Sequence, residues 1–139
     1  MAEAKTKPIK GGVAAYLKAI DDPQRKRDTR TLIALMRHAT GATPILWGSS
    51  ILGFGVHEYP SAKGKSAPWP LLAFALRSKG FVLYLGLGSG AHRDLLQALG
   101  TCKVSGGCLH IRQISDVNLP ILNRLLAQSA ERIRAKVTR

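Results

Sequence analysis

Cysteine and histidine side chains are the residues of this sequence best suited to nucleophilic chemistry. Cys108 and His110 alternate along CLHIR, which places both on one face of a predicted strand, and a thiolate needs such a neighbouring base. His57 is the other candidate base. No carboxylate is identifiable that would orient either imidazole, and the four histidines lack the spacing of a metal site. We therefore predict no catalytic residue, no metal site and no cofactor, with a reactive Cys108 as the open alternative.

The stretch GLGSGAH at 86–92 follows an apolar strand-like run and precedes an amphipathic segment, as a phosphate-binding glycine loop does. Its glycines at 86, 88 and 90 give G-x-G-x-G, one residue short of the dinucleotide fingerprint. No carboxylate follows near 106–110 to bind a ribose, and no P-loop motif is present. The stretch is therefore interpreted as a turn. His92 and Arg93, which follow it, are candidate anion contacts.

Aromatic and cationic side chains recur between residues 45 and 70 and again near the cysteines. We predict that rings and cations from these segments line a pocket for an anionic or planar ligand. The residues assigned to this site are Trp47, His57, Tyr59, Trp69, Lys103 and Cys108. In the alternative interpretation, the aromatic side chains belong to the core and the lysine is solvated.

Arginines at helical spacing form the second candidate contact surface, which would bind phosphate groups. They are Arg27, Arg30 and Arg37 on one predicted helix, and Arg124 and Arg132 on the last. The sequence has neither a helix-turn-helix pattern nor an RNA-binding aromatic motif, so a solvated basic surface is the alternative. Nucleic acid is thus one partner class, beside an unknown small molecule or protein.

Composition and charge bear on the number of domains, the class of partner and the location of the protein. The 139 residues, 45% hydrophobic and 21% charged, suit a single domain with its own core. The 21 Lys and Arg against 8 Asp and Glu give a net charge of +13, which favours anionic partners. The absence of an 18-residue apolar run and of a secretory signal predicts a cytoplasmic protein without membrane association, with both cysteines as free thiols. We expect a monomer or a homodimer.

Helices at the two ends of the chain must position these side chains. Residues 1–12 predict a flexible basic tail, and residues 13–139 a single domain that opens with a short helix. Asp22 as N-cap and Pro23 in the first turn predict a second helix, ended by Gly41 and Pro44. A short helix over 92–99 and a final helix that starts near 115–119 follow later in the chain.

The middle of the chain has the pattern of β-strands. Residues 45–87 are rich in β-formers separated by turns, with a hairpin across Lys79-Gly80 and a polar loop over 61–70. A further strand is predicted over 108–112. The predicted fold class is α+β, with a small antiparallel sheet and helices from both chain ends packed on one face.

Three segments, with the helix pair before them, form a joint pattern: ILGFGVHEYPSAKG, LLAFALRSKGFVLYL and HRDLLQALGTCKVSGGCLHIRQISDVNLPIL. The pattern resembles the YdhG-like family, known as domain of unknown function 1801, from about residue 13 to 133. The resemblance implies the same α+β fold, makes GLGSGAH a connector and implies a family cysteine at position 108.

Some relatives in this family are described as iron chaperones of the frataxin type. Such proteins use a cluster of exposed carboxylates, whereas this chain has only eight scattered acidic residues and a net charge of +13.

The sequence therefore predicts a small YdhG-like domain that acts as a non-catalytic ligand- or partner-binding module. A nucleic-acid-associated basic protein is the first alternative, and a frataxin-type iron chaperone is the second, which the net charge of +13 disfavours.

Overall fold

The computed structural model describes residues 8–9, 12–47, 50–60, 66–87, 92–105 and 107–137, except for the side chains of 8–9, 56–60, 66–68 and 134–137. The described strands are β1 (Pro8–Ile9), β2 (Pro44–Trp47), β3 (Ile51–Pro60), β4 (Ser66–Arg77), β5 (Gly80–Tyr84), β6 (Lys103–Ser105) and β7 (Cys108–Ile111). The described helices are α1 (Gly12–Lys18), α2 (Pro23–Thr40), α3 (Arg93–Leu99) and α4 (Leu119–Val137), with a 3₁₀ turn (Ile114–Asp116) before α4.

All strands belong to one antiparallel sheet in the order β1-β2-β3-β4-β5-β7-β6. One register row joins Leu52, Phe74, Leu83 and Leu109 across its centre, and all four side chains are fully buried. Because side chains alternate along a strand, this row defines an apolar face, which we call the inner face. The opposite face is called the outer face.

The helices cover the inner face. Leu32 and Met36 of α2 and Leu122 and Leu125 of α4 are fully buried in the same cluster as the inner-face side chains. Phe74 lies at its centre, with ring centroids 6.3 Å from Phe54 and 6.1 Å from Phe81. The predicted α+β fold, with helices from both chain ends on one face of an antiparallel sheet, is confirmed. None of the helices that the described residues form is long and apolar enough to cross a membrane.

Local signals set the bounds of α2. The Asp22 carboxylate accepts a hydrogen bond from the Gln24 amide at 3.0 Å, and Pro23 occupies the first turn, where its missing N–H is not needed. Gly41 ends the helix in the left-handed conformation, with φ of 73°, and its N–H donates to the Arg37 carbonyl. The predicted caps are confirmed.

Strand bounds differ more from the expectation. Pro8–Ile9, within the predicted tail, pair with β2, and the strand β4 begins at Ser66, inside the predicted polar loop. The edge strand β6 has only exposed residues and no apolar pattern, so it was not expected. Pro8–Ile9 pair with a strand that is distant in sequence, whereas SAPWP at the start of β4 and KVS in β6 themselves lack the apolar alternation that predicts a strand.

A buried carboxylate ties the two ends of the domain together. Asp28 of α2 is only 5% exposed, and it accepts hydrogen bonds from the Ile114 amide at 3.1 Å and from Gln24 Nε2 at 2.8 Å. Ile114 begins the 3₁₀ turn that leads into α4. The carboxylate therefore fixes the entry of the last helix against the second.

We expect Asp28→Ala to lower the free energy of unfolding by about 1.5–3 kcal/mol, because the buried Ile114 amide loses a charged acceptor. Urea denaturation followed by circular dichroism measures this difference. Asp28→Asn, which keeps one acceptor oxygen, should lose less, and the exposed Asp94→Ala is the matched control. Equal stability of Asp28→Ala and the unsubstituted chain would contradict this role.

Candidate functional site

The two tryptophans of the predicted ligand site do lie together. Their ring centroids are 5.7 Å apart at an angle of 57°, and Trp47 is only 1% exposed. A Cβ atom at Gly53 would lie 2.7 Å from both Pro70 and the Trp47 ring, so these side chains pack closely over the sheet. The side chains of His57 and Tyr59 lie outside the described residues. Trp47 is therefore a buried aromatic side chain that packs against Trp69 and Pro70.

The other two residues of that site, Lys103 and Cys108, lie far from the tryptophans. Trp47 is on β2 and Lys103 on β6, five strand spacings apart in the sheet order. At roughly 4.8 Å per spacing the separation is about 24 Å. The predicted pocket that joins the tryptophans to Lys103 is therefore not formed, because β7 and β6 add to the far edge of the sheet.

Part of the predicted anion-contact set does converge. A cleft of about 430 Å³ between α3 and α4, here the helix cleft, is lined by His92, Arg93, Asp94, Leu95, Arg124 and Gln128. His92 Nδ1 lies 3.1 Å from Gln128 Oε1 and links the two helices. The Asp94 carboxylate offsets part of the positive charge of this cleft. Residues 92–95 and residues 124 and 128 are thus brought together from two separate helices, and on α4 the helical spacing placed Arg124 and Gln128 on one side.

The glycine stretch contributes a backbone contact. Gly86 has φ of 61°, and its carbonyl accepts a hydrogen bond of 3.0 Å from Arg132 Nη1. Residues 88–91 of the stretch lie outside the described residues. Arg132, which was predicted as a phosphate contact, thus donates one of its guanidinium hydrogen bonds to the loop that precedes α3.

The arginines of α2 do not share a cavity with those of α4. Arg27, Arg30 and Arg37 are exposed, and Arg27 donates a 2.9 Å hydrogen bond to Gln24 on its own helix. Arg25, which was not predicted, instead reaches the β4–β5 turn, where it donates to the carbonyls of Arg77 at 2.9 Å and Ser78 at 2.6 Å.

A cationic pocket lies beside this turn. Its volume is about 280 Å³, and we call it the turn pocket. It is lined by Arg77, Ser78, Lys79, Gly80, Phe81, Val82, His110, Ile111 and Arg112. Three of these residues, Arg77, Lys79 and Arg112, are basic and none is acidic. Sequence reasoning missed this site, because Arg77 and Lys79 come from one turn while Arg112 comes from the end of another strand.

Glycine at position 80 allows the pocket to close. Gly80 has φ of 136°, a conformation that other residues avoid. A Cβ atom there would lie 2.7 Å from the Arg112 Cα and would collide with the Ile111 carbonyl. The end of β7 can therefore approach the turn, and this approach brings Arg112 to the same pocket as Lys79.

The Arg77 guanidinium is held by neutral partners. Its Nη1 donates to Ser50 Oγ at 3.0 Å and its Nη2 to Tyr84 Oη at 3.3 Å, so its charge is not compensated there. Arg112 Nε lies 3.5 Å from Asp116 Oδ2, the one salt bridge among the described residues, and its side chain stays 74% exposed. The pocket therefore keeps a net positive charge.

A half-buried phenol supports the segment around Ser50. Tyr16 Oη donates to the carbonyl of Ser50, the residue directly before β3, at 3.2 Å, and accepts from the Leu76 amide at 3.1 Å. Burial raises the pKa of Tyr16, with a partly opposing contribution from the hydrogen bond to Leu76. The neutral hydroxyl is thus favoured, and it positions Ser50 as a partner for Arg77.

The nucleophile hypothesis finds little support in the geometry. Cys108 and His110 share the outer face, as the alternation predicted, and both are half-buried. Burial raises the pKa of the Cys108 thiol, which lowers its thiolate fraction at neutral pH. Within the described part of the chain, no group of three or more His, Cys, Asp or Glu side chains could hold a metal ion.

We expect Cys108 to react with iodoacetamide at neutral pH more slowly than glutathione does, because its raised pKa leaves less thiolate. The Cys102→Ser variant isolates the Cys108 rate, which mass spectrometry of the alkylated peptide reports. A rate above that of the model thiol would contradict this expectation and would restore Cys108 as a candidate nucleophile.

Comparison of the chain with protein-family models, with curated proteins and with solved structures finds no match. Membership of the YdhG-like family therefore stays a prediction that depends on the sequence motifs. The function has to be inferred from the geometry of the candidate sites.

Proposed function

We propose that the chain is a non-catalytic binding module, of the type that its resemblance to YdhG-like proteins predicts, and that it binds a phosphate-bearing or carboxylate-bearing ligand in the turn pocket. The observation that carries this proposal is the convergence of Arg77, Lys79 and Arg112 on a cavity without an acidic lining residue. One salt bridge, from Arg112 to Asp116, offsets part of this charge, and the remaining like charges repel one another, a cost that a bound anion relieves.

The donors of the pocket suit a tetrahedral or planar oxyanion. A guanidinium offers several N–H groups in a fixed plane, and it binds phosphate or carboxylate oxygens through paired hydrogen bonds. Ser50 and Tyr84 hold the Arg77 group in place before a ligand arrives, so less side-chain entropy is lost on binding. Lys79 adds a mobile point charge, and His110 adds a further ring nitrogen.

Two features set the position of the turn that forms the pocket. Arg25 ties the turn to α2 through two carbonyls, and Gly80 sets the distance between the turn and the end of β7. The turn pocket differs from the arginines of α2 in that its cations come from separate strands and line one cavity. The same positive charge disfavours a cationic cargo, and for this reason iron chaperoning is not proposed.

Titration calorimetry with pyrophosphate at low ionic strength tests the proposal. We expect Arg77→Ala and Arg112→Ala each to weaken binding roughly tenfold or more, since a hydrogen bond to a charged group contributes about 1.5–3 kcal/mol. Acetate and inorganic phosphate, titrated in parallel, show which oxyanion is preferred.

Arg124→Ala is the matched control for this experiment, because it removes the same charge from the helix cleft. Its affinity for pyrophosphate should equal that of the unsubstituted chain, and far-ultraviolet circular dichroism verifies that each variant is folded. An equal loss in Arg124→Ala, or no loss in Arg77→Ala, would contradict a site at the turn pocket.

A further inference from the structure

The outer face of β5, β7 and β6 is the surface next to the turn pocket. Val82 pairs with His110, and Tyr84 pairs with Cys108, so these four side chains share one face. All four are half-buried, and none belongs to the core cluster that the helices cover. This part of the sheet is therefore a partly open surface with two rings on it.

The two rings lie on neighbouring strands. Tyr84 and His110 are diagonal neighbours, because their register partners are two residues apart on each strand. Diagonal neighbours are roughly 7–8 Å apart, within reach of side chains of this size. The hydrogen bond from Arg77 to Tyr84 Oη fixes the phenol and leaves its ring as a platform beside the guanidinium.

Positive charge borders the rings on two sides. Arg77, Lys79 and Arg112 lie at the turn pocket, and Lys103 pairs with His110 from the edge strand β6, where it is exposed. The sequences of β5, β6 and β7 contain no acidic residue. The charge of this surface is therefore complementary to a chain of phosphates.

We infer that this surface binds single-stranded nucleic acid, with bases stacked on Tyr84 and His110 and phosphates in contact with the turn pocket and Lys103. The inference rests on the proposed function, because the turn pocket supplies the first phosphate contacts. Proteins commonly bind single strands by stacking unpaired bases on aromatic side chains of an open sheet, with cations beside them that contact the phosphates. In a duplex the faces of the bases are stacked on one another and are not accessible to such side chains.

Fluorescence anisotropy with short oligothymidylate and oligouridylate tests the inference, with duplex DNA of equal length as the competitor. We expect either single strand to bind more tightly than the duplex, and the comparison of the two strands identifies DNA or RNA as the preferred source. The plot of log affinity against log salt should have a slope of about −3, because roughly 0.7 counterion is released for each of four phosphate contacts.

Two pairs of variants separate stacking from charge. Tyr84→Ala should weaken oligonucleotide binding about tenfold, whereas Tyr84→Phe, which keeps the ring, should retain most of the affinity. Arg77→Ala should reduce the salt slope by about 0.7, whereas Arg124→Ala in the helix cleft should leave it unchanged. Tyr84→Ala and Tyr84→Phe both lose the hydrogen bond to Arg77, so their pyrophosphate affinities should fall to the same extent, and only oligonucleotide affinity should distinguish them.

The outcomes that overturn the inference differ from those that overturn the proposed function. Pyrophosphate binding without oligonucleotide binding would overturn only the inference. The inference would also be overturned if single strand and duplex bound with equal affinity, or if Arg124→Ala weakened binding as much as Arg77→Ala. Either result would show nonspecific electrostatic attraction to the whole basic surface. Self-association that Tyr84→Ala abolishes, with no oligonucleotide binding, would assign the face to a second copy of the chain. Loss of pyrophosphate binding would overturn the proposed function itself.

Discussion

The apolar inner face of the sheet has to be covered, and helices from both ends of the chain cover it together. Leu32 and Met36 from α2 and Leu122 and Leu125 from α4 are buried against one continuous row of strand side chains. Since burial of apolar surface is the main favourable contribution to folding, this packing fixes which face of the sheet stays outside. The outer-face side chains of β5 and β7, which are the proposed ligand contacts, are accessible because the helices cover the other face.

The same packing also places the turn pocket. Because α2 runs across the inner face, its Arg25 reaches the carbonyls of the β4–β5 turn, and a glycine at the start of β5 lets the end of β7 approach from the other side. Arg77 projects to the outer face, where it meets Ser50 and Tyr84. Core packing and cation placement are therefore two results of one arrangement of helices and strands.

Much of the fold could be predicted from the sequence, because its signals are local: the Asp22 and Gly41 caps, the apolar spacing of α2 and α4, and the Lys79-Gly80 hairpin. The site could be predicted only in part. Helical spacing indicated Arg124, which meets His92 and Arg93 in the helix cleft. Neither spacing nor composition indicates that β6 lies at the edge of the sheet opposite to β2. For this reason the sequence-based prediction placed Lys103 in one pocket with the tryptophans. The association of Arg77 with Arg112 likewise depends on long-range strand order.

An amide titration by two-dimensional ¹⁵N NMR with pyrophosphate measures most directly where an anion binds. If the turn pocket is the binding site, the largest shift changes will fall on residues 77–82 and 110–112, and they will saturate together with one affinity. Largest changes at residues 92–95 and 124–128 would place the anion in the helix cleft instead, and changes spread evenly over all basic segments without saturation would show that no defined anion site exists.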